Sequence, residues 1–109
     1  MKKYLLIAMA LMLCSGAWAA SHKSQKVFEV TGNTLADICQ KTSGYDYGVC
    51  LGFINGVAAL QHSACIPDGV KFGQLKDVVL KYIQENPEIR HKPATGIITK
   101  ALKQVWVCK

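Results

Sequence analysis

The sequence contains no Cys-x-x-Cys pair and no Cys-x-x-Cys-His motif, although it has five cysteines. Thioredoxin-like redox chemistry, a zinc ribbon and covalent haem attachment each require one of these spacings and are therefore not indicated. No nucleophile lies beside a base, and no pair of carboxylates or set of metal ligands can be assembled from the sequence. We therefore expect a protein that is not an enzyme, with no catalytic residue, no metal and no cofactor.

Dense basic runs interleaved with aromatic residues, which are typical of nucleic-acid grooves, are also missing. The lysines are scattered, and the full sequence carries a net charge of +6. Removing Lys2 and Lys3 with the leader described below leaves 11 Lys plus Arg against 7 Asp plus Glu, a net charge of +4. This mild charge predicts solvated helix faces and no nucleic-acid partner.

The first 19 residues have the three parts of a secretory signal peptide. Lys2 and Lys3 precede an apolar run over residues 4–13, and small residues then favour a cut after Ala19. A lipoprotein anchored at Cys14 is the alternative, but Leu13 is bulkier than the small residue that usually precedes a lipid-modified cysteine. We predict cleavage after residue 19, a periplasmic mature chain, an extended arm over residues 20–30 and one domain over residues 31–109.

Cleavage removes Cys14 and leaves an even set of cysteines, namely Cys39, Cys50, Cys65 and Cys108. In an oxidising compartment, four cysteines in so small a domain predict two structural disulfides.

Apolar periodicity predicts an all-α fold, a small disulfide-braced bundle of about four helices with an extended N-terminal arm. The predicted helices cover residues 35–41 and 47–64, a third segment that contains Leu75 and Ile83 and ends at Asn86-Pro87, and a fourth that begins at Pro93. The second helix is apolar around most of its circumference, so we predict a buried central helix covered on several sides. Its apolar run is far shorter than the roughly 20 residues of a membrane span.

Three glycines, Gly48, Gly52 and Gly56, repeat at every fourth position along one edge of this helix. Each costs a helix about 1 kcal/mol relative to alanine, which suggests that another backbone packs closely there. We favour a neighbouring helix of the same chain, with a dimer seam as the alternative.

Short turns between the helices favour antiparallel neighbours, and this order predicts the disulfide pairing. Cys39, near the end of the first helix, should meet Cys50, near the start of the second. Cys65 and Cys108 follow helices that run in the same direction, so they should meet at one end of the bundle.

The segment between the last two helices combines charges of both signs, a histidine and an isoleucine that we expect to be exposed. We predict that it binds a partner through Glu88, Ile89, Arg90, His91 and Lys92. His62 lies three residues before Cys65 and could act as a base for its thiol, but a disulfide at Cys65 removes that nucleophile. We interpret His62 as structural and His91 as a surface residue.

The order of motifs also resembles a known pattern. It consists of Thr-Gly-Asn-Thr-Leu from residue 31, Cys-Leu-Gly-Phe-Ile-Asn-Gly from residue 50, Cys-Ile-Pro-Asp-Gly-Val from residue 65, Gln-Leu-Lys-Asp-Val-Val-Leu-Lys-Tyr-Ile from residue 74, Asn-Pro-Glu from residue 86, Pro-Ala from residue 93 and the final cysteine. The mature chain is similar to the Rap and Tai immunity families, small periplasmic helical proteins that neutralise peptidoglycan amidase effectors delivered by type VI secretion.

This resemblance implies a homodimer of compact helical subunits that occludes the Cys/His active-site cleft of an amidase. Its partner would therefore be a secreted protein. The alternative is a periplasmic stress-related binding protein, similar to the acid-stress chaperones and directed at another partner. Such a protein should open at low pH, and the sequence has few clustered carboxylates to drive that opening.

Overall fold

A computed structural model describes residues 29–109 of the chain. Within this range the backbone forms four α-helices, α1 (Gly32–Cys39), α2 (Gly44–Leu60), α3 (Phe72–Glu85) and α4 (Ala94–Val105), with a 3₁₀ turn at Pro87–Ile89 between α3 and α4. Extended pairing among these residues is limited to two isolated antiparallel bridges, Thr31 with Pro93 and Ala64 with Val107. The predicted all-α, four-helix fold is confirmed for this part of the chain. The leader and the arm before residue 29 lie outside the described residues.

The core is apolar and is built from all four helices. α4 contributes the most residues, because Ala94, Ile97, Ile98, Ala101 and Leu102 recur at helical spacing and are all buried. The other helices add their own buried side chains, which are Leu35 and Cys39 from α1, Cys50 and Ile54 from α2, and Leu75, Val79 and Ile83 from α3. The helix that organises the core is therefore α4.

The prediction that the second helix is buried on several sides is wrong. Only Cys50 and Ile54 of α2 are buried, whereas Tyr45 is 85% exposed and Leu60 is 80% exposed. Apolar residues around most of the circumference predicted a central helix. Sequence periodicity identifies which positions are apolar, but it does not show which of them a neighbouring helix covers. The other three described helices pack against one side of α2 and leave the opposite side open.

The glycine edge of α2 belongs to that open side. A Cβ atom built on Gly48, Gly52 or Gly56 would meet nothing within 4 Å among the described residues. The preferred interpretation, close packing of a neighbouring helix of the same chain, is therefore wrong for residues 29–109. The dimer seam stays a prediction.

Both ends of α1 and of α2 differ from the predicted boundaries by two to four residues. α1 begins at Gly32 because Thr31 is its N-cap, and the Thr31 hydroxyl accepts a hydrogen bond from the Thr34 amide at 3.3 Å. α2 ends at Leu60, four residues early, because Gln61 adopts an extended backbone and its side-chain oxygen accepts from the amides of Ser63 (2.9 Å) and Ala64 (2.8 Å). These bonds stabilise a turn that competes with the helix.

Two disulfides brace the bundle. Cys39–Cys50 joins the end of α1 to α2 and is fully inside the core, while Cys65–Cys108 joins the segment after α2 to the C-terminal segment and is exposed. These are the two pairs predicted from the order of the helices. A backbone hydrogen bond from the Cys65 amide to the Trp106 carbonyl at 2.9 Å aligns the second pair of segments.

Candidate partner-binding connector

The segment that joins α3 to α4, residues 86–93, is called the connector below. It begins where α3 ends, since Pro87 cannot continue the helix and the Asn86 side-chain amide donates to the Tyr82 carbonyl at 2.8 Å. One 3₁₀ turn follows, and the chain then reverses into α4. Pro93 is the N-cap of α4 and not part of its first turn, so the helix begins at Ala94.

Arg90 fastens the connector to the end of α3. Its Nε donates to the Ile83 carbonyl at 2.9 Å, and its Nη2 donates to the Gln84 carbonyl at 3.2 Å. Both carbonyls belong to the last turn of α3, where no further helical amide is available to bind them. A guanidinium at a helix C-terminus also interacts favourably with the negative end of the helix dipole. Arg90 therefore has a structural task and is not free to contact a partner with its whole side chain.

The first turn of α1 holds the connector from the other side. The amide of Gly32 donates to the Lys92 carbonyl at 3.0 Å, and the amide of Asn33 donates to the Arg90 carbonyl at 2.8 Å. These amides have no acceptor inside α1, so the connector satisfies them. Next to this contact the Ala94 amide donates to the Val30 carbonyl at 2.8 Å, which brings the end of the predicted arm against the start of α4.

Ile89 differs from its prediction. It is half-buried and packs against the core, with Pro93 and Ile97 beside it around an open cavity of about 230 Å³. The isoleucine was expected to be exposed because its neighbours in sequence are polar, but its apolar side chain supplies the contact that folds the connector onto α4. The exposed members of the predicted set are Glu88, His91 and Lys92.

The cysteines offer no free thiol in the described part of the chain. Cys39, Cys50, Cys65 and Cys108 are all disulfide-bonded there. His62 is exposed and lies beyond the end of α2, so it does not share a helix face with Cys65 as predicted. Among residues 29–109, no three His, Cys, Asp or Glu side chains come together as candidate metal ligands.

A comparison with protein-family models matches residues 31–108 of this chain to the Rap1a immunity proteins. The chain belongs to that family. The match begins at the N-cap of α1 and includes the four described helices and both disulfides of this Rap1a immunity protein. Membership supports an immunity function, which implies a protein partner and an inhibitor in preference to an enzyme. No curated protein and no solved structure matches the chain.

A search of the described helices of this Rap1a immunity protein finds none that combines the length and the apolar character needed to cross a bilayer.

Two residues that shape the connector were missed in the sequence. Gly32 lies before the predicted start of the first helix at residue 35, although a threonine followed by a glycine is also compatible with an N-cap and a closely packed first helical turn. Arg90 was assigned to partner binding, although its position shortly after a proline-terminated helix is a signal for a C-terminal carbonyl contact.

Proposed function

We propose that this chain is a periplasmic immunity protein that binds a peptidoglycan amidase effector of a type VI secretion system and occludes its active-site cleft. The observation that carries the proposal is that the connector presents polar side chains to solvent from an anchored loop. Glu88, His91 and Lys92 are presented to solvent on a short loop that backbone hydrogen bonds attach to α1 and the Arg90 side chain attaches to α3. A loop that is ordered before binding loses little conformational entropy when it enters a cleft.

The chemistry of the exposed residues suits a cleft that contains a Cys/His pair. A carboxylate, an imidazole and an ammonium group together offer hydrogen-bond donors and acceptors to a polar active site. Ile89 behind them keeps the loop attached to its own domain, so the polar side chains can project without exposing an apolar patch.

Export is the second part of the proposal. The predicted leader, residues 1–19, would be removed after Ala19, and residues 31–109 would form the single domain in the periplasm. Two disulfides in a small domain support an oxidising compartment, because such bonds are rare in reducing ones. N-terminal sequencing of the periplasmic form should start at Ala20.

The homodimer is the third part. We propose that the open side of α2 forms the seam, with Gly48, Gly52 and Gly56 between the exposed side chains of Tyr45, Val49 and Leu60. At 3.6 residues per turn these six positions fall within about 120° of the helix circumference, so they share one face. Glycines let two such helices approach closely while the apolar residues around them are covered.

A stress-related binder that opens in acid has less support. Among the described residues no Asp or Glu is buried, so protonation of these carboxylates would break no buried ion pair and no buried hydrogen bond.

Co-expression tests the function. The proposed amidase effector, sought as a small secreted protein in the adjacent reading frames, is produced in the periplasm of a susceptible host, with the full chain or with an empty vector. Growth should be restored only by the full chain, and the two proteins should copurify. Continued lysis in the presence of a folded, exported immunity protein would refute the amidase proposal.

A further inference from the structure

Charge is unevenly distributed along this chain. Residues 89–109 contain five Lys or Arg and no Asp or Glu, while all seven carboxylates of the sequence lie in residues 29–88, with only four lysines among them. The second half of the connector and the whole of α4 are therefore basic. A small net charge for the whole molecule conceals this separation.

The fold places three of these cations on one continuous surface, called the α4 basic face below and defined as Lys92, Lys100 and Lys103. All three are exposed. On α4 the buried residues Ile98 and Leu102 point to the core, and the two lysines of the helix occupy the opposite side. Lys92 and Lys100 border the cavity of about 230 Å³, and Lys100 and Lys103 border another open cavity of about 320 Å³.

These ammonium groups are not neutralised by the part of the chain that the structure describes. The salt bridge present there joins Lys81 to Glu85 at 3.9 Å and involves none of the three. A row of cations that form no salt bridge with the described residues produces a positive local potential, which attracts an anionic partner and speeds its association. The charges are thus arranged for a partner and not for internal ion pairs.

We propose that the α4 basic face is a second contact surface for the effector, which it binds through an acidic patch of that protein beside the cleft. The proposal rests on the function proposed above and extends the contact from the connector, where Lys92 lies, along α4 to Lys100 and Lys103. The effector would meet the connector with its cleft and α4 with the acidic rim. The lysines would act chiefly on the rate of association.

The apolar lining between the lysines favours a protein over a lipid surface. Ile89, Pro93 and Ile97 line the first cavity, and Tyr82 and Val107 line the second. Side chains of a protein can enter such cavities, whereas a planar layer of headgroups cannot fill them. Three lysines are also fewer than the basic clusters that recruit proteins to anionic membranes.

The test compares two double variants that lose the same charge. Lys100→Gln/Lys103→Gln removes two cations from the α4 basic face, and Lys41→Gln/Lys71→Gln removes two exposed cations from the first part of the domain. Association with a catalytically inactive form of the proposed amidase effector is measured at low and high ionic strength. Glutamine is tolerated in helices and on surfaces, and circular dichroism verifies folding.

At low ionic strength the first variant should associate about tenfold more slowly than the wild type, and the control should stay within about twofold. At high ionic strength the three rates should converge, because salt screens the attraction. Equal slowing of both variants, or of neither, would overturn the proposal while leaving the function intact.

Two further outcomes separate the alternatives. If the wild type itself does not bind the amidase, the proposed function fails and this surface fails with it. Vesicles of phosphatidylglycerol and phosphatidylethanolamine are tested in parallel. Vesicle binding that is lost in Lys100→Gln/Lys103→Gln, with amidase association unchanged, would overturn the proposal in favour of a lipid surface.

Discussion

Gly32 lies directly against the backbone of Arg90. A Cβ atom on the glycine would be 2.9 Å from the Arg90 carbonyl oxygen and 3.1 Å from its Cα atom. Backbone atoms cannot move aside as the end of a side chain can, so only glycine fits here without a shift of the connector. This contact joins the first helix of the domain to the connector, which we propose binds the effector.

Gly32→Ala should lower the free energy of unfolding by about 1–3 kcal/mol, the usual cost of inserting a methyl group into a filled space. Gly73→Ala is the matched control, because Gly73 lies in α3 and a Cβ there meets nothing within 4 Å of the described residues. It should be neutral or stabilising by up to about 1 kcal/mol. Urea denaturation measures both, and equal stability of the two variants would contradict the close contact.

Substitutions at the adjacent residues Arg90 and His91 should have different effects, the first mainly on stability and the second mainly on binding. Arg90→Ala removes two hydrogen bonds to the last turn of α3 and should cost about 1–2 kcal/mol of unfolding free energy. His91→Ala should stay within about 0.5 kcal/mol, because its exposed side chain forms no hydrogen bond within residues 29–109.

The affinity for the amidase should show the opposite pattern, with the larger loss in His91→Ala. His91→Ala should weaken it about tenfold, as expected for a side chain in the centre of an interface, with its stability unchanged. Calorimetric titration together with thermal unfolding provides both measurements. A destabilised His91→Ala protein, or one with wild-type affinity, would remove this residue from the proposed contact.

The two disulfides should differ in their resistance to reduction. Cys39 is 2% exposed and Cys50 is fully buried, whereas Cys65 and Cys108 are both exposed. A thiolate must reach a sulfur atom to open the bond, so graded dithiothreitol should reduce Cys65–Cys108 first. Its loss should cost about 4 kcal/mol on the loop-entropy model, because the bond closes a loop of 43 residues. Alkylation and mass spectrometry would show the order, and earlier labelling of Cys39 and Cys50 would contradict it.

The dimer seam can be tested without disturbing the monomer. Gly52→Gln places a longer side chain on the open side of α2 and should favour the helix itself by several tenths of a kcal/mol. It should nevertheless convert the homodimer to a monomer in sedimentation velocity. Gly73→Gln, the same change on α3, should leave the dimer intact. A dimer that survives Gly52→Gln places the seam elsewhere.

Much of this fold could be predicted from local patterns. The amphipathic α3, its end at Asn86-Pro87 and the turn at residues 67–69 all follow from spacing and from proline and glycine chemistry. The disulfide pairing followed from helix order, because antiparallel neighbours leave few cysteines close together. These features depend on residues near one another in sequence, or on a simple topology.

The missed features depend on contacts between distant segments. Nothing near Gly32 in sequence indicates that it packs against Arg90, and nothing in α2 indicates that its apolar edge is left uncovered. The loop between the last two helices lies where it was predicted, but Ile89 and Arg90 face the domain more than the solvent. Its binding of a partner stays a prediction. Sequence periodicity identifies apolar faces, whereas the packing of whole helices decides which faces are buried.

Inhibition of the enzyme tests the central proposal most directly. The proposed amidase effector is purified and incubated with increasing amounts of the oxidised mature protein, and hydrolysis of peptidoglycan fragments is followed. We predict that activity falls linearly and is abolished near one immunity protein chain per amidase, with His91→Ala requiring more. Full amidase activity in the presence of excess folded, disulfide-bonded protein would contradict the account.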